Sequence, residues 1–325
     1  MRKLGLPFIA ASFLLLVTAV SSAQDFPSRP ISIVVPYAPG GSTDILGRVL
    51  GEAMGRALKQ PVIVENAGGA GGTVGAARVA KAVSNGYTLL FHNMGHAAAP
   101  ALYPSLSFNP ESSFEPIGLV ADVPMLLVGR KGIPASDLAG LIAYAKANPN
   151  KLNFAHSGAG STAQLCSMLL ATTAGVTFTS VPYRGTGPAL QDMIGGQVDL
   201  LCDQPVSTTS FLQSGQLVGY AIANKTRLVT LPNVPTFTQA GMPGFELAVW
   251  HGLYAPKGTP QPVLDILVKA LQQALKDPNL EQRFASLGTA PVELSRATPQ
   301  ALRVHLHSEV ARWGPMIKKA GVQAD

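Results

Sequence analysis

The chain has 325 residues, with 24 Lys or Arg and 18 Asp or Glu, so its formal net charge is +6. Charged residues make up only 13% of it and no Lys/Arg cluster occurs, which argues against nucleic-acid binding through a basic surface. The length is enough for two domains of roughly 150 residues each.

The first 23 residues have the features of a secretory signal peptide. Arg2 and Lys3 form a positive start, residues 4–20 are largely apolar, and residues 21–23 supply small side chains for cleavage. We predict cleavage after Ala23, which leaves 325 − 23 = 302 residues with a charge of 6 − 2 = +4. No later apolar run reaches spanning length. The mature protein is therefore expected to be soluble, in the periplasm of a Gram-negative bacterium.

Strand-like and helix-like patterns alternate after the signal peptide. Three β-rich runs are predicted to be strands: 31–37, 61–66 and 87–91. Apolar residues follow helical spacing from Ile45, and a small-residue helix reaches Ala82. Strand–helix–strand order at this spacing predicts parallel βαβ units with helices on both faces of the sheet.

The same alternation restarts at residue 124. Further strands are predicted at 124–130, 153–157, 177–183, 198–203, 217–223 and 250–256. Further helices are predicted at 135–148, 161–175, 188–196, 262–276, 279–287 and 298–319. The last helix has Thr298 as N-cap and Pro299 at its first position, which is a typical start.

Two extended segments indicate where the chain passes between two lobes, near residues 120–130 and 246–256. One lobe would hold both chain ends, as residues 24–124 and 249–325. The other would be residues 125–248. This is the layout of a hinged binding protein.

Two similar turns each lead from a strand into a helix. They read Gly40-Gly41-Ser42-Thr43 and Gly158-Ala159-Gly160-Ser161-Thr162. The first turn of a helix leaves backbone N–H groups unpaired and favours negative charge, while glycine allows a ligand to approach closely. Both turns would lie at the carboxyl ends of strands, where α/β proteins bind ligands. We interpret the pair as a clamp for one carboxylate, with plain N-capping as the alternative.

Other polar residues have two readings each. Asp203 ends an apolar strand and either caps the next turn or binds an ammonium, a hydroxyl or a water in the cleft. Arg184 either pairs with a second ligand carboxylate or bonds local carbonyls. Asn66 and one or more of His92, Asn93 and His96 are candidates for the cleft lining. Cys166 and Cys202 form either one disulfide or two separate buried thiols.

Enzyme motifs are absent from the sequence. No serine of the two turns lies in GxSxG, the histidines of HNMGH lack the Glu of HExxH, and neither GxxxxGK[ST] nor a complete GxGxxG occurs. A periplasmic hydrolase that uses the same cleft is the alternative to a binding protein. The expected site needs no metal and no cofactor.

Several motifs in order resemble one family along nearly the whole mature chain. They include PYAPGGSTDILGR, VIVENAGGAGGTVGA, NFAHSGAGSTAQL, VPYRGTGPALQDMIGGQVDL and GLYAPKGTP. This series resembles the periplasmic solute-binding proteins of tripartite tricarboxylate transporters, also called Bug proteins. The resemblance implies a two-lobed α/β fold of the type II Venus-flytrap kind, with a mainly parallel sheet flanked by helices in each lobe, and no catalysis.

The resemblance also implies a ligand, partners and a site. The ligand would be a small organic carboxylate, delivered by a monomeric protein to a tripartite tricarboxylate-type membrane transporter or, less often, to a sensor. The residues implied on the two gripping loops are Tyr37, Gly41, Ser42, Thr43, Ala159, Gly160, Ser161 and Thr162. Asp203 matches the position that sets selectivity at the far end of the ligand. The family's usual Asn after it is Gln204 here, and a helix position often held by His is Gln164.

Overall fold

A computed structural model describes residues 26–319 of the chain. The predicted signal peptide lies outside these residues. Within them, two five-stranded sheets are flanked by helices. No helix of this part is long and apolar enough to span a bilayer.

The strands of the described residues are numbered in chain order. They are β1 (Ile31–Val35), β2 (Val62–Asn66), β3 (Thr88–Asn93), β4 (Phe114–Pro124), β5 (Leu126–Arg130), β6 (Asn153–His156), β7 (Thr179–Pro182), β8 (Leu200–Asp203), β9 (Leu217–Ile222) and β10 (Ala248–Pro256). The prediction placed a strand near each of them except β4, which the sequence analysis did not identify as an element. Four of the five residues of β1 are buried, as expected for an inner parallel strand covered on both faces.

The helices are numbered in the same way. They are α1 (Ser42–Leu58), α2 (Thr73–Ala80), α3 (Gly95–Leu102), α4 (Leu138–Ala147), α5 (Thr162–Ala174), α6 (Thr186–Ile194), α7 (Pro205–Gln213), α8 (Gln261–Leu275), α9 (Pro278–Ser286) and α10 (Pro299–Lys319). The Ala301 N–H donates to Thr298 Oγ1 at 3.2 Å, so the predicted cap of the last helix is confirmed. Two short helices were not predicted: α3, which follows the third predicted strand, and α7, which lies between two predicted strands.

Each sheet has four strands in one direction and one strand reversed. The first sheet has the order β2-β1-β3-β10-β4, and β10 is antiparallel to both of its neighbours. The second has the order β7-β6-β8-β5-β9, and β5 is the antiparallel strand. The prediction of mainly parallel sheets is confirmed, with one reversed strand in each. We call the first sheet with its helices the first lobe, and the second sheet with its helices the second lobe.

The chain crosses between the lobes at two adjacent places. Met125 alone separates β4 from β5, and residues 223–247 connect β9 to β10. The Met125 N–H donates to the Leu247 carbonyl at 2.9 Å, and the Ala223 N–H donates to the Met125 carbonyl at 2.7 Å. The two crossings are therefore bonded to each other and form one hinge. The predicted lobe limits at 124/125 and 248/249 stay a prediction.

A disulfide joins Cys166 of α5 to Cys202 of β8. Their Cα atoms are 6.2 Å apart, and both residues are buried. Of the two alternatives that the sequence left open, the structure thus has the bridge. It ties together two elements of the second lobe that reach the cleft.

Candidate functional site

Four helices begin at one cavity between the lobes. These are α1 of the first lobe and α5, α6 and α7 of the second. The cavity is lined by Tyr37, Gly41, Ser42, Thr43, Asn93, Met125, Ser157, Thr162, Ala163, Thr186, Asp203 and Gln204. Because each helix start carries unpaired N–H groups and a partial positive charge, the cavity favours an anion.

The first glycine turn presents its hydroxyls to the cavity. Gly41 is the N-cap residue of α1, and no side chain caps the helix's first turn. Ser42 instead reaches across the cleft: its Oγ donates to Asp203 Oδ1 at 3.3 Å and lies 2.9 Å from Ser207 Oγ. At this turn the capping alternative therefore fails, and the side chain of Ser42 is directed at the second lobe.

Asn93 holds the neighbouring groups in place. Its Nδ2 donates to Thr43 Oγ1 at 3.1 Å, and its Oδ1 accepts from the Tyr37 hydroxyl at 3.0 Å. His251 is hydrogen-bonded to Thr43 Oγ1 through Nε2 at 3.3 Å. Thr43 is thus fixed from two sides. Burial raises the pKa of the Tyr37 phenol, which stays protonated as a donor.

In the second glycine turn, some side chains cap helix α5 and another lines the cavity. Ser161 Oγ accepts from the Gln164 N–H at 3.3 Å, and Gln164 Oε1 accepts from the Gly160 N–H at 2.7 Å. Ser161 and Gln164 therefore cap α5, and neither lines the cavity. The buried Thr162 hydroxyl does line the cavity, and it has no hydrogen-bond partner among residues 26–319. Of this turn's two hydroxyls, that of Thr162 lines the cavity and that of Ser161 caps the helix.

Ala159, Gly160 and Arg184 lie at contacts between the lobes and not in the cavity lining. The Ala159 carbonyl accepts from the Tyr103 hydroxyl at 2.8 Å. A Cβ at Gly160 would meet Leu102 of α3. The Arg184 carbonyl accepts from the Ala38 N–H at 3.0 Å, while its side chain is exposed. The structure thus places these three predicted ligand residues at contacts between the lobes, and their role in ligand binding stays a prediction.

Asn66 and His92 also lie outside the lining. Asn66 Nδ2 donates to the Tyr37 carbonyl at 3.0 Å and to Asp44 Oδ1 at 2.8 Å. It therefore stabilises the first glycine turn through the residues on either side of it. His92 is buried, and its Nδ1 accepts from the Asn93 N–H at 2.8 Å. Successive side chains of a strand point to opposite faces, so Asn93 faces the cavity and His92 does not.

Asp203 is a buried carboxyl inside a field that favours anions. Burial raises the pKa of Asp203, and hydrogen bonds from Ser207, Thr186 and Ser42 act in the opposite direction. Ser207 Oγ donates to its Oδ2 at 2.6 Å. Asp203 thus takes up donors that a ligand carboxylate would also use.

The comparison with protein families decides which family this is. The family described as the tripartite tricarboxylate transporter family receptor matches residues 46–322, most of the chain. The chain belongs to this family. The family comprises receptors that bind a substrate and not enzymes, so the hydrolase alternative is set aside.

Solved structures of other receptors resemble this one closely. The periplasmic binding protein BugD has a TM-score of 0.89 and 44% identity, covering 92% of this chain and 100% of its own. MatC from Rhodopseudomonas palustris, solved with malate, has a TM-score of 0.86 and 40% identity, covering 90% of this chain and 100% of its own. A second R. palustris protein, solved with adipate, has a TM-score of 0.86 and 33% identity, covering 92% of this chain and 99% of its own.

Two more helix starts belong to this receptor's site; the sequence predicted α6 to begin two residues late, at 188, and did not predict α7. Thr186 begins α6 directly after Gly185, and Gln204 is the N-cap residue of α7 before Pro205. Signals for both were present, because Gly-Thr-Gly-Pro follows a predicted strand and proline is common at the first helical position. Gln204 Oε1 is buried and has no hydrogen-bond partner in the part of the chain that the structure describes.

Proposed function

We propose that this receptor captures a small organic carboxylate between its lobes and delivers it to a tripartite tricarboxylate-type membrane transporter. The observation that carries the proposal is the convergence of four helix starts on one buried cavity. A helix start favours an anion by up to about 2 kcal/mol in a partly buried setting. Several of them with fixed hydroxyls make the cavity suited to one carboxylate without a metal ion.

The unpaired Thr162 hydroxyl supports the position of the carboxylate. A buried hydroxyl without a partner costs about 1–3 kcal/mol, and a ligand oxygen that accepts its proton removes that cost. Ser42 lies across the cleft and is bonded to Asp203 and Ser207. A bound carboxylate would replace those bonds, so that Ser42 and Thr162 grip it from the two lobes.

The part of the ligand beyond the carboxylate would face two acceptors of the cavity, the carboxylate of Asp203 and the side-chain oxygen of Gln204. Once Ser42 turns to the ligand, Asp203 loses one donor, and Gln204 Oε1 has none to begin with. A hydroxyl or ammonium group on the ligand would supply the missing proton to these oxygens. We therefore propose a hydroxy or amino acid with at least one further polar group as the preferred ligand. The malate found in MatC is a compound of this class.

The remaining parts of the proposal concern the setting. Signal-peptide cleavage after Ala23 would release the receptor into the periplasm as a monomer, free to diffuse between ligand and transporter. The other members' description as transporter receptors supports delivery to a membrane component. The site residues proposed from both lobes are Tyr37, Gly41, Ser42, Thr43, Asn93, Thr162, Thr186, Asp203 and Gln204.

A thermal-shift panel tests the ligand class. The mature protein is unfolded, freed of bound molecules and refolded, then mixed with malate, succinate, aspartate, citrate, glucose or phosphate. A ligand at a hundred times its Kd stabilises by about 2.7 kcal/mol. This corresponds to roughly 5–11 °C in Tm for a chain of this size. Shifts only with glucose or phosphate would refute the carboxylate clamp.

Paired variants test the residues themselves. Ser42→Ala combined with Thr162→Ala should abolish the shift with every carboxylate and leave the unliganded Tm nearly unchanged. Ser167→Ala is the matched control, because this hydroxyl lies on the same helix α5 and donates to the Gln164 carbonyl at 2.8 Å, away from the cavity. Equal shifts in the double variant and the control would contradict the proposed clamp.

A further inference from the structure

The closed lobes meet at two places beside the cavity, and at each a main-chain carbonyl of the second lobe accepts a hydrogen bond. At the first, the Ala38 N–H of the first lobe donates to the Arg184 carbonyl of the second at 3.0 Å. At the second, the Tyr103 hydroxyl donates to the Ala159 carbonyl at 2.8 Å. The seal of the cleft therefore depends on how closely the two backbones can approach.

Gly187 makes the first approach possible. It lies in the first turn of α6, and a Cβ at this position would be 2.1 Å from the Pro39 carbonyl oxygen. The next nearest atoms belong to Gly40 and Gly41, so all three belong to the other lobe. Ordinary contact begins at 3.4 Å, so a side chain here would push the lobes apart by about 3.4 − 2.1 = 1.3 Å.

Gly71 makes the second approach possible. It lies in the glycine-rich segment between β2 and α2. A Cβ on Gly71 would be 2.1 Å from the Ala159 carbonyl oxygen, and one on Gly158 would be 2.7 Å from the Gly71 nitrogen. This turn therefore faces the second lobe.

We propose that Gly187, with Gly71 at the second contact, determines ligand affinity by permitting the lobes to close. The absent side chains let the backbones seal the cavity, and a ligand held in a sealed cavity dissociates slowly. The effect on affinity rests on the proposed function, whereas closure itself can be measured without a ligand.

Gly187→Ala isolates this effect from folding. The backbone of Gly187 is not in the left-handed region, and alanine is a better helix former than glycine. The variant should therefore fold normally in the open form. Gly71 has φ of +61°, so a side chain there would strain its own lobe as well, and Gly71 is the poorer choice.

Gly195→Ala is the matched control at the other end of α6. Its φ is −74°, and a Cβ there would meet only the Gln191 and Asp192 carbonyls of its own helix, at 3.4 and 3.6 Å. Any general effect of alanine on α6 appears in both variants. A closure effect appears in Gly187→Ala alone.

Closure is measured first by trapping. Ser42→Cys and Ser207→Cys place thiols on opposite lobes where the hydroxyl oxygens are 2.9 Å apart. With a mild oxidant, the rate of bridge formation, followed by mass spectrometry, reports how often the lobes close. We expect the rate to fall about tenfold or more in the Gly187→Ala background and to stay unchanged with Gly195→Ala. Equal rates in all three backgrounds, or no bridge at all without a glycine change, would overturn the proposal.

Affinity is measured second, with the native serines and malate as the probe. We expect Kd for malate to rise about tenfold or more in Gly187→Ala, since only a fraction of molecules reach the binding form. An unchanged Kd would overturn the role in affinity. If the unaltered protein binds no malate, the choice of ligand class fails, and the trapping rates still decide the closure.

Discussion

Reduction of the disulfide between Cys166 and Cys202 should destabilise the receptor markedly. The two cysteines are 36 residues apart in sequence. Closing a loop of that length removes unfolded-state entropy worth about 4 kcal/mol at 25 °C. At roughly 2–4 °C per kcal/mol, Tm should fall by roughly 8–15 °C on reduction.

The same bridge should influence the site. Cys166 lies one turn after Thr162 on α5, and Cys202 directly precedes Asp203 on β8. The bridge therefore fixes the distance between Thr162, the residue proposed to grip the carboxylate, and Asp203, the residue proposed to contact the rest of the ligand. We expect the reduced protein, kept well below its Tm, to bind malate more weakly than the oxidised protein.

Because the disulfide is buried, the reductant has to be added while the protein is unfolded. The protein is reduced in denaturant, refolded with reductant and checked by mass for two added hydrogens before thermal unfolding is recorded. A double variant, Cys166→Ala with Cys202→Ala, should be destabilised as well and should not respond to reductant. A reduced protein that unfolds within 2 °C of the oxidised one, about 1 kcal/mol or less, would refute the reasoning.

Three further results are expected. Asp203→Asn should change the ratio of the Kd values for malate and succinate more than it weakens succinate; an unchanged ratio in calorimetry would count against Asp203 as the reader of the hydroxyl. Ser161→Ala should lower the unfolding free energy by about 1 kcal/mol, as loss of a cap does. Thr162→Ala should weaken carboxylate binding by roughly 2–10-fold and should not lower the stability of the unliganded protein, because the hydroxyl that it removes is unpaired there. If the two variants behaved alike, the division between cap and ligand group would be refuted. Burial lowers the pKa of His96 from 6.5 to about 3, so the folded state binds this proton less readily than the unfolded state. The free energy of unfolding should therefore decrease as the pH is lowered from 6.5 to 4, and His96 alone should account for about 3 kcal/mol of the decrease. In a comparison of Tm at the two pH values, His96→Leu should lose part of that decline and the exposed His307→Gln should keep it; equal declines would contradict the assignment.

Local sequence was sufficient for the features that local chemistry decides. Alternating strand and helix patterns predicted two α/β lobes with mainly parallel sheets, because the apolar spacing of an element depends on its own residues. The cap at Thr298 was correct for the same reason. The series of glycine motifs was sufficient to identify the family, which in turn implied a carboxylate site between the lobes.

The two Gly-Ser-Thr turns show where the sequence stopped being informative. Hydroxyl groups next to a helix start can cap it or bind a ligand, and both uses need the same residues. Ser42 reaches the other lobe and Ser161 caps its own helix, although their surroundings in the sequence are nearly the same. Only the position of each turn relative to the second lobe distinguishes them.

What the sequence determined by itself was the set of elements, the family and the anion-binding character of the helix starts. What the tertiary structure decided was which groups meet: the four helix starts at one cavity, the disulfide, and the close approach of Gly187 to Pro39. All of these join residues far apart in the chain. Their distances are set by the packing of two sheets about a hinge, and no local pattern encodes that packing.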